Sequence, residues 1–388
     1  MKPTKFLSYS SGKLVKGCQE CVLGNKTVLF ITGKCNRNCY YCPLPESRKN
    51  LDVVYANERK LSDVDAVSEA IEEAKLCNSK GIGITGGNPL LVLNRTIKFV
   101  KAFKKIFGRN FHIHIYLPTD NITKQKLEKL AKSGIDEIRF HPYFLSKDEK
   151  ELKAIETAYQ LKKKYGWKVG IEIPAVPKTE KATIKFLKSV KHLDFLNLNE
   201  FEMPSLNGEN LQKRKMSTIG NSVAIRGSEK TALKVLNEIA KSHIIQNIHY
   251  CSAATKNLFQ FKNRLKNRLK NIKKLYDIIT KDNDLLHGAI YCSIKPEFGY
   301  QKKLENIKRN KKKYNQIIKK LDSFRNYIIK IYQIPKNLIE IDRQFLRILT
   351  SVEIAEKLKN EIKKHDLNPA LVVELPTYDK IMLFFEWL

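Results

Sequence analysis

Short apolar runs alternate with amphipathic stretches between residue 27 and about residue 250. Compact β-branched runs predict buried strands, and apolar positions three or four apart predict helices that cover a sheet. The predicted strands are 27–32, 81–85, 112–117, 137–141, 169–173, 195–199 and 244–250. The predicted helices are 63–76, 93–107, 123–132, 149–165, 183–190 and 229–241. This alternation predicts an α/β fold, namely a partial or near-complete (β/α) TIM-like barrel.

The hydrophobic pattern changes near residue 254. A basic amphipathic helix is predicted from the helical spacing of Leu258, Phe261, Leu265, Leu269, Ile272 and Ile279. A second basic helix is predicted for residues 302–332, and strand-like runs follow at 371–374 and 381–387. We therefore expect a barrel with an N-terminal CxxC segment at 1–254, a basic helical region at 255–335 and a small α+β domain at 336–388.

The formal net charge is +32, and residues 256–330 contribute about +15 of it. Such a surface attracts polyanions such as RNA, because neutralised phosphates release counterions. The other interpretation is a solvated, lysine-rich surface of the thermophile kind, and the sequence leaves both open. The N-terminus has no signal-peptide pattern, and no apolar run is long enough for a membrane span. We expect a cytoplasmic protein that does not associate with membranes.

Five of the eight cysteines fall within residues 18–42, at CxxC and CxxxCxxC spacings. This clustering indicates metal binding in a reducing compartment rather than disulfides. Cys35, Cys39 and Cys42 follow the first predicted strand, where a tight loop suits three corners of an iron–sulfur cubane and leaves the fourth iron open. A structural zinc site is the alternative, and it normally needs four ligands.

The CxxxCxxC spacing with Tyr41 directly before the last cysteine resembles the radical S-adenosylmethionine (SAM) superfamily. Segments such as GITGGNPLL and HYCSAATK resemble, within it, uncharacterised archaeal proteins related to pyruvate formate-lyase activating enzyme. The resemblance implies a barrel of the radical SAM type. It also implies a [4Fe-4S] cluster that cleaves SAM reductively to a 5′-deoxyadenosyl radical, with an electron donor such as ferredoxin or flavodoxin.

The resemblance also implies a set of cofactor-binding residues. Gly86 and Gly87 would bind the SAM amino group through backbone atoms, and Asn88 stands where the family usually has an acidic residue. Thr119 and Asp120 would contact the SAM ribose or carboxylate. The polar residues at later strand ends either face SAM or substrate, or only solvate the barrel mouth: Arg139, His141, Glu172, Asn197, Asn199 and Glu200.

A second metal site is predicted from three other cysteines. Cys18 and Cys21 precede the first strand and Cys251 ends the seventh, so closure of the barrel would bring their sulfurs together. Cys292 or His249 would supply a fourth ligand. An auxiliary iron–sulfur cluster, a zinc ion and no metal all remain open here.

Three functions are compatible with the sequence. The first is radical modification of RNA such as tRNA, bound by residues 256–330 with four aromatic side chains for base stacking. The second is an activating enzyme that takes a hydrogen atom from a glycine of a partner protein. The third is a noncatalytic metal-binding or RNA-binding module. The four aromatic residues are Phe259, Phe261, Tyr276 and Tyr314.

Overall fold

The structure is a computed structural model that describes residues 1–145, 149–204, 208–297 and 299–388. It divides into two compact units, Met1–Asn267 (unit 1) and Arg268–Leu388 (unit 2). The three segments predicted from the sequence differ from this division. The reason is that apolar residues of the basic helices, such as Leu304 and Leu321, share one buried core with the C-terminal strands. In the described residues, no helix has the length and apolar character needed to cross a membrane.

Unit 1 contains eleven strands in one sheet. In chain order they are β1 (Lys2–Pro3), β2 (Tyr9–Ser11), β3 (Lys26–Phe30), β4 (Tyr55–Ala56), β5 (Arg59–Lys60), β6 (Gly81–Thr85), β7 (His112–Pro118), β8 (Glu137–His141), β9 (Lys168–Ala175), β10 (Phe195–Glu200) and β11 (Asn247–Cys251). The spatial order is β1-β2-β11-β10-β9-β8-β7-β6-β3-β4-β5, and β3 with β6 to β11 form a continuous parallel set. This is the predicted α/β architecture, a partial TIM-like barrel with its short outer strands antiparallel.

The helices of unit 1 alternate with these strands. They are α1 (Lys16–Val22), α2 (Val67–Leu76), α3 (Leu93–Phe107), α4 (Lys124–Ser133), α5 (Glu149–Tyr165), α6 (Glu180–Ser189), α7 (Gly208–Lys213), α8 (Ser228–Lys241) and α9 (Lys262–Ile272), which continues into unit 2. Residues Thr255–Phe261 form a π-helical segment before α9. The first of the two predicted basic helices ends earlier than expected, at Ile272. Ile279, which was predicted to belong to it, lies in a strand.

The two faces of the parallel sheet differ in chemistry. Side chains alternate between the faces along each strand. Ile113, Ile115 and Leu117 of β7 are fully buried among apolar side chains of the unit 1 core. The alternate positions of the same strand, including His114 and Tyr116, line a cavity. One face thus packs as a core, and the other presents polar groups to an interior space.

Unit 2 is an α+β structure built on a six-stranded antiparallel sheet. Its strands are β12 (Ile278–Ile279), β13 (Leu285–Tyr291), β14 (Ile339–Asp342), β15 (Arg347–Thr350), β16 (Asn368–Glu374) and β17 (Met382–Trp387), and its helices are α10 (Tyr300–Arg309), α11 (Lys311–Tyr332), α12 (Val352–Lys357) and α13 (Lys359–Lys364). The order is β14-β15-β13-β16-β17, with β12 beside β13.

The second basic stretch forms two helices where the sequence predicted one. Asn310 leaves the helical conformation, with φ −92° and ψ 90°. Its side chain accepts a hydrogen bond of 3.1 Å from the backbone N–H of Lys313. An asparagine in this position caps a new helix, so α11 begins at Lys311.

A buried ionic network crosses the sheet of unit 2. Arg347 is fully buried and donates to Glu374 at 2.6 and 2.7 Å and to Asp342 at 3.1 Å. His287 lies 2.9 Å from Asp277 through Nδ1 and 3.4 Å from Glu374 through Nε2. Burial alone would raise the pKa of Glu374, but the charge of Arg347 and the contact with His287 bring it down to about 2.

Replacing Glu374 with Gln should lower the free energy of unfolding of unit 2 by about 3 kcal/mol, because Arg347 stays buried without its main carboxylate. Since the folded pKa lies below the ordinary value of 4.5, the carboxylate stabilises the fold above pH 4.5 and loses this effect as the pH falls towards 2. Urea titrations at several pH values measure the difference. The exposed Glu386→Gln is the matched control, and equal midpoints for both variants at pH 7 would contradict the prediction.

Candidate active site

The CxxxCxxC loop lies at the carboxyl edge of the parallel sheet, directly after β3. Cys35, Cys39 and Cys42 line a cavity of about 510 Å³ inside unit 1. Among the described residues, no three His, Cys, Asp or Glu side chains converge as ligands of one metal ion. In a cubane each thiolate binds a different iron, which is the arrangement that three cysteines of one loop suit.

Arg37 anchors this loop to the ends of two strands. Its guanidinium forms ion pairs with Asp120 and with Glu151 of α5. It also donates to the backbone oxygen of His141 at 2.8 Å and to Thr119 Oγ1 at 2.7 Å. Thr119 and Asp120, predicted to contact SAM, therefore bind the cysteine loop itself. Their contact with SAM stays a prediction.

Asp52 closes the other side of the loop. Its carboxylate accepts hydrogen bonds from Lys34 Nζ at 3.0 Å, Thr32 Oγ1 at 3.1 Å and Arg95 at 2.6 Å. The hydrogen bond from Arg95 is the main reason that the pKa of Asp52 lies far below its ordinary value. Charged contacts of Arg37 and Asp52 thus hold the segment that runs from the end of β3 to Asp52. Neither Arg37 nor Asp52 was predicted as a site residue.

Gly86 and Gly87 form the backbone wall predicted for the SAM amino group, and both line the cavity. Gly86 has φ +146°, and a Cβ there would lie 2.4 Å from the backbone oxygen of Thr32. A Cβ on Gly87 would lie 2.2 Å from the backbone oxygen of Lys34. The close approach of these two chain segments requires glycine at both positions.

Asn88 is fully buried and has a structural contact. Its side-chain oxygen accepts a hydrogen bond of 3.0 Å from the backbone N–H of Leu90, which caps a short 3₁₀ turn. It is not among the residues that line the cavity. Asn88, which stands where the family usually has an acidic residue, therefore caps a local turn.

Tyr41 forms part of an aromatic wall of the cavity. It is 4% exposed and packs near His141, Phe144 and Phe201, with ring centroids 5.8, 6.4 and 6.3 Å away. Burial lowers the pKa of His141 to about 4, so its ring is neutral at pH 7. This wall thus borders the cysteine loop without adding charge.

Glu172 is the centre of a group of polar side chains in the same cavity. It accepts hydrogen bonds from Tyr116 Oη at 2.9 Å, Arg139 at 2.6 Å, Asn197 at 2.8 Å and Asn199 at 2.9 Å. Burial would raise its pKa, but Arg139 and the two amides lower the pKa overall. Glu172 is therefore a charged carboxylate at neutral pH. Five residues predicted at strand ends line the cavity here, namely Arg139, Glu172, Asn197, Asn199 and Glu200.

The three cysteines of the predicted second metal site line the same cavity. Cys18 accepts hydrogen bonds from Asn197 at 3.2 Å and Arg139 at 3.4 Å. Burial is the main reason that the pKa of Cys251 rises to about 12, and the nearby Cys21 raises it further. Of the two candidate fourth ligands, His249 lines the cavity, whereas Cys292 lies in the core of unit 2.

Three thiols on one anchored loop and a glycine backbone wall in the same cavity fit a [4Fe-4S] cluster and SAM. They define a metal-dependent radical enzyme. Residues 29–215 match the family model of the Radical SAM superfamily. The chain is also 47% identical over 291 residues to a protein of Methanocaldococcus jannaschii provisionally described as a glycyl-radical enzyme activating enzyme, covering 74% of this chain and 76% of the relative. The chain belongs to the radical SAM superfamily, so it is an enzyme that uses a [4Fe-4S] cluster and SAM.

Solved structures with similar folds are more distant. Methylornithine synthase is 15% identical with a TM-score of 0.39, over 60% of this chain and 72% of that one. A radical SAM methyltransferase of Kitasatospora setae, with tryptophan and a SAM analogue bound, is 12% identical with a TM-score of 0.36. This match covers 67% of the chain, which spans only 54% of the methyltransferase.

Replacing Arg37 with Gln should weaken iron retention about tenfold, because residues that orient a metal-binding loop typically contribute that much to affinity. The variant leaves Asp120 and Glu151 without their shared cation while all three cysteines remain. Iron loss to a chelator after anaerobic reconstitution measures the effect. Arg109→Gln, at an exposed arginine beyond α3, is the control, and equal rates of iron loss in both variants would refute the anchoring role.

Proposed function

We propose that this enzyme is a glycyl-radical activating enzyme, which removes a hydrogen atom from the Cα of a glycine in a partner protein. The observation that carries the proposal is the 47% identity, over three quarters of both chains, to a protein provisionally described in those terms. A protein radical on a glycine Cα would be the product. The partner supplies the glycine, and an external one-electron donor such as ferredoxin or flavodoxin supplies the electron.

In this proposal Cys35, Cys39 and Cys42 bind the cluster, and the backbone of Gly86 and Gly87 binds the amino group of SAM. When bound, the cluster and SAM would together supply a 5′-deoxyadenosyl radical that accepts the hydrogen atom. The chain's own contribution is to orient them and to exclude water. The buried ring of Tyr41 and the neutral ring of His141 support the second role, because an uncharged wall disfavours water beside a radical.

The polar side chains around Glu172 suit a peptide segment as substrate. A glycine has no side chain, so an enzyme can recognise it only through main-chain N–H and C=O groups and neighbouring residues. Asn197 uses both of its N–H groups on Glu172 and Cys18, so its side-chain oxygen can accept from a main-chain N–H. Asn199 donates one N–H to Glu172 and has a second N–H and an oxygen to offer. We infer that these side-chain amides form hydrogen bonds with main-chain groups of the partner's glycine segment.

RNA has less support as the substrate. The basic block at residues 256–330 is divided between the two units at Asn267, so it is not one compact structural element. The predicted stacking residues are engaged in packing: Phe259 lies edge-on to Phe6 at 5.4 Å, and Tyr276 is buried with its hydroxyl donating to Glu340 at 2.7 Å. These contacts favour a solvated basic surface over a base-stacking platform.

Transfer of deuterium should identify the substrate class. Reconstituted enzyme, SAM and dithionite are incubated anaerobically with a protein extract of source cells grown on α-deuterated glycine. Abstraction breaks a glycine C–D bond and moves the deuterium to the 5′ carbon, so 5′-deoxyadenosine should gain one mass unit. Mass spectrometry of the nucleoside measures it.

The Cys35→Ser variant should form no 5′-deoxyadenosine, because the cluster loses one of its three thiolate ligands. Cys77→Ser, at a buried cysteine outside the cavity, should behave as the wild type. Deuterium transfer from deuterated bulk tRNA, with none from the labelled proteins, would refute the proposal and favour RNA.

A further inference from the structure

Helix α1 brings two thiols into the cavity that the proposed reaction does not use. Cys18 and Cys21 are three residues apart, so both lie on one face of the helix. Gly17 allows the close approach, since a Cβ there would lie 2.3 Å from an Arg139 nitrogen and 2.9 Å from His114 Nδ1. The helix end is held by Asn263, whose side chain donates to the backbone oxygen of Val22 at 2.8 Å.

Strand β11 brings a third thiol and an imidazole to the same place. Cys251 and His249 are two residues apart on this strand, so their side chains lie on the same face of the sheet. His249 is paired in register with Asn197, the residue that contacts the Cys18 sulfur at 3.2 Å. Contacts through Asn197 thus connect α1 to β11, and all four side chains line the cavity.

Two of the three sulfurs of this group receive N–H donors. Cys18 faces the amide of Asn197 and the guanidinium of Arg139, and Cys251 faces the amide of Gln260 at 3.4 Å. Hydrogen bonds of this kind stabilise thiolate charge and tune the reduction potential of iron–sulfur clusters.

His249 adds a donor atom with no other function in the fold. The residue is 3% exposed, and among the described residues its Nδ1 has no hydrogen-bond partner, whereas Nε2 lies 3.4 Å from Ser8 Oγ. A buried ring nitrogen without a partner costs free energy unless a ligand satisfies it. A metal bound through Nδ1, with the other ring nitrogen facing a hydroxyl, is a common arrangement for histidine ligands.

We propose that Cys18, Cys21, Cys251 and His249 bind a second [4Fe-4S] cluster, in the cavity that the cluster-binding loop also lines. Three thiolates and one imidazole would complete its four irons. Assembly of the [4Fe-4S]²⁺ form from two ferrous ions, two ferric ions and four sulfides needs no further oxidant, and each cysteine ligand releases its thiol proton. This site does not depend on the choice of substrate, so a result against the activating function would not exclude the second cluster.

Iron and sulfide counting tests the second cluster. Two triple variants are reconstituted anaerobically, Cys35→Ser/Cys39→Ser/Cys42→Ser and Cys18→Ser/Cys21→Ser/Cys251→Ser, with Cys77→Ser as the control. The wild type and the control should hold about eight iron atoms per chain, and each triple variant about four. The first variant should keep a reducible cluster whose electron paramagnetic resonance spectrum does not change when SAM is added.

Loss of all iron from the Cys35/Cys39/Cys42 variant, with its circular dichroism spectrum unchanged, would overturn the proposal, and so would zinc in place of iron. Loss of iron with an altered spectrum is resolved by the single variant Cys251→Ser, which should hold fewer than eight irons in a folded chain. His249→Cys tests the fourth ligand. Exchange of imidazole for thiolate should lower the reduction potential of the second cluster, and an unchanged potential would exclude His249.

Discussion

The polar interior of unit 1 depends on one buried cation, Arg139. Its guanidinium donates to Glu172 at 2.6 Å and to Glu137 at 2.7 Å, and it contacts the Cys18 sulfur at 3.4 Å. An isolated charge in this position would cost many kcal/mol, and an arginine cannot escape the cost by losing its proton. Two carboxylates compensate it, so the inward face of the sheet can border a cavity instead of closing as an apolar core.

The same pairing keeps a charged carboxylate, that of Glu172, inside the cavity. Glu172 is held by four donors, so it positions Asn197 and Asn199 rather than taking up a proton at neutral pH. The cysteine loop, which lines the same cavity, is fixed by Arg37 and Asp52. Rigid walls of this kind place the reacting groups before any substrate arrives.

The parallel strands and the helices between them could be predicted from the sequence because their hydrophobic periodicity is strong. Strands 81–85 and 137–141 and helices 93–107 and 149–165 were predicted with the limits that the structure shows. The domain limits were less accessible, because they depend on which helices share a core with which strands. The break at Asn310 was missed for a local reason, since one capping side chain interrupts an otherwise continuous apolar pattern.

The cysteine loop could be singled out as a candidate metal-binding loop because cysteine spacing is visible along the chain, and the paired glycines could be interpreted once the family resemblance was recognised. The residues that anchor the cysteine loop could not be predicted from the sequence. Arg37 and Glu151 are 114 residues apart, and Arg95 and Asp52 are 43 apart, so nothing local marks them as partners. Thr119 and Asp120 were singled out correctly as strand-end residues, but their contact with Arg37 required the three-dimensional arrangement.

The long separation between Arg37 and its partners sets an order of events during biosynthesis. The three thiols emerge from the ribosome well before Asp120 and Glu151, so at that stage they belong to an unanchored loop. The loop acquires its shape only when β7, β8 and α5 have packed. A cluster inserted after these elements have packed would meet a fixed loop, in contrast to small zinc domains, where the metal itself drives the chain to fold.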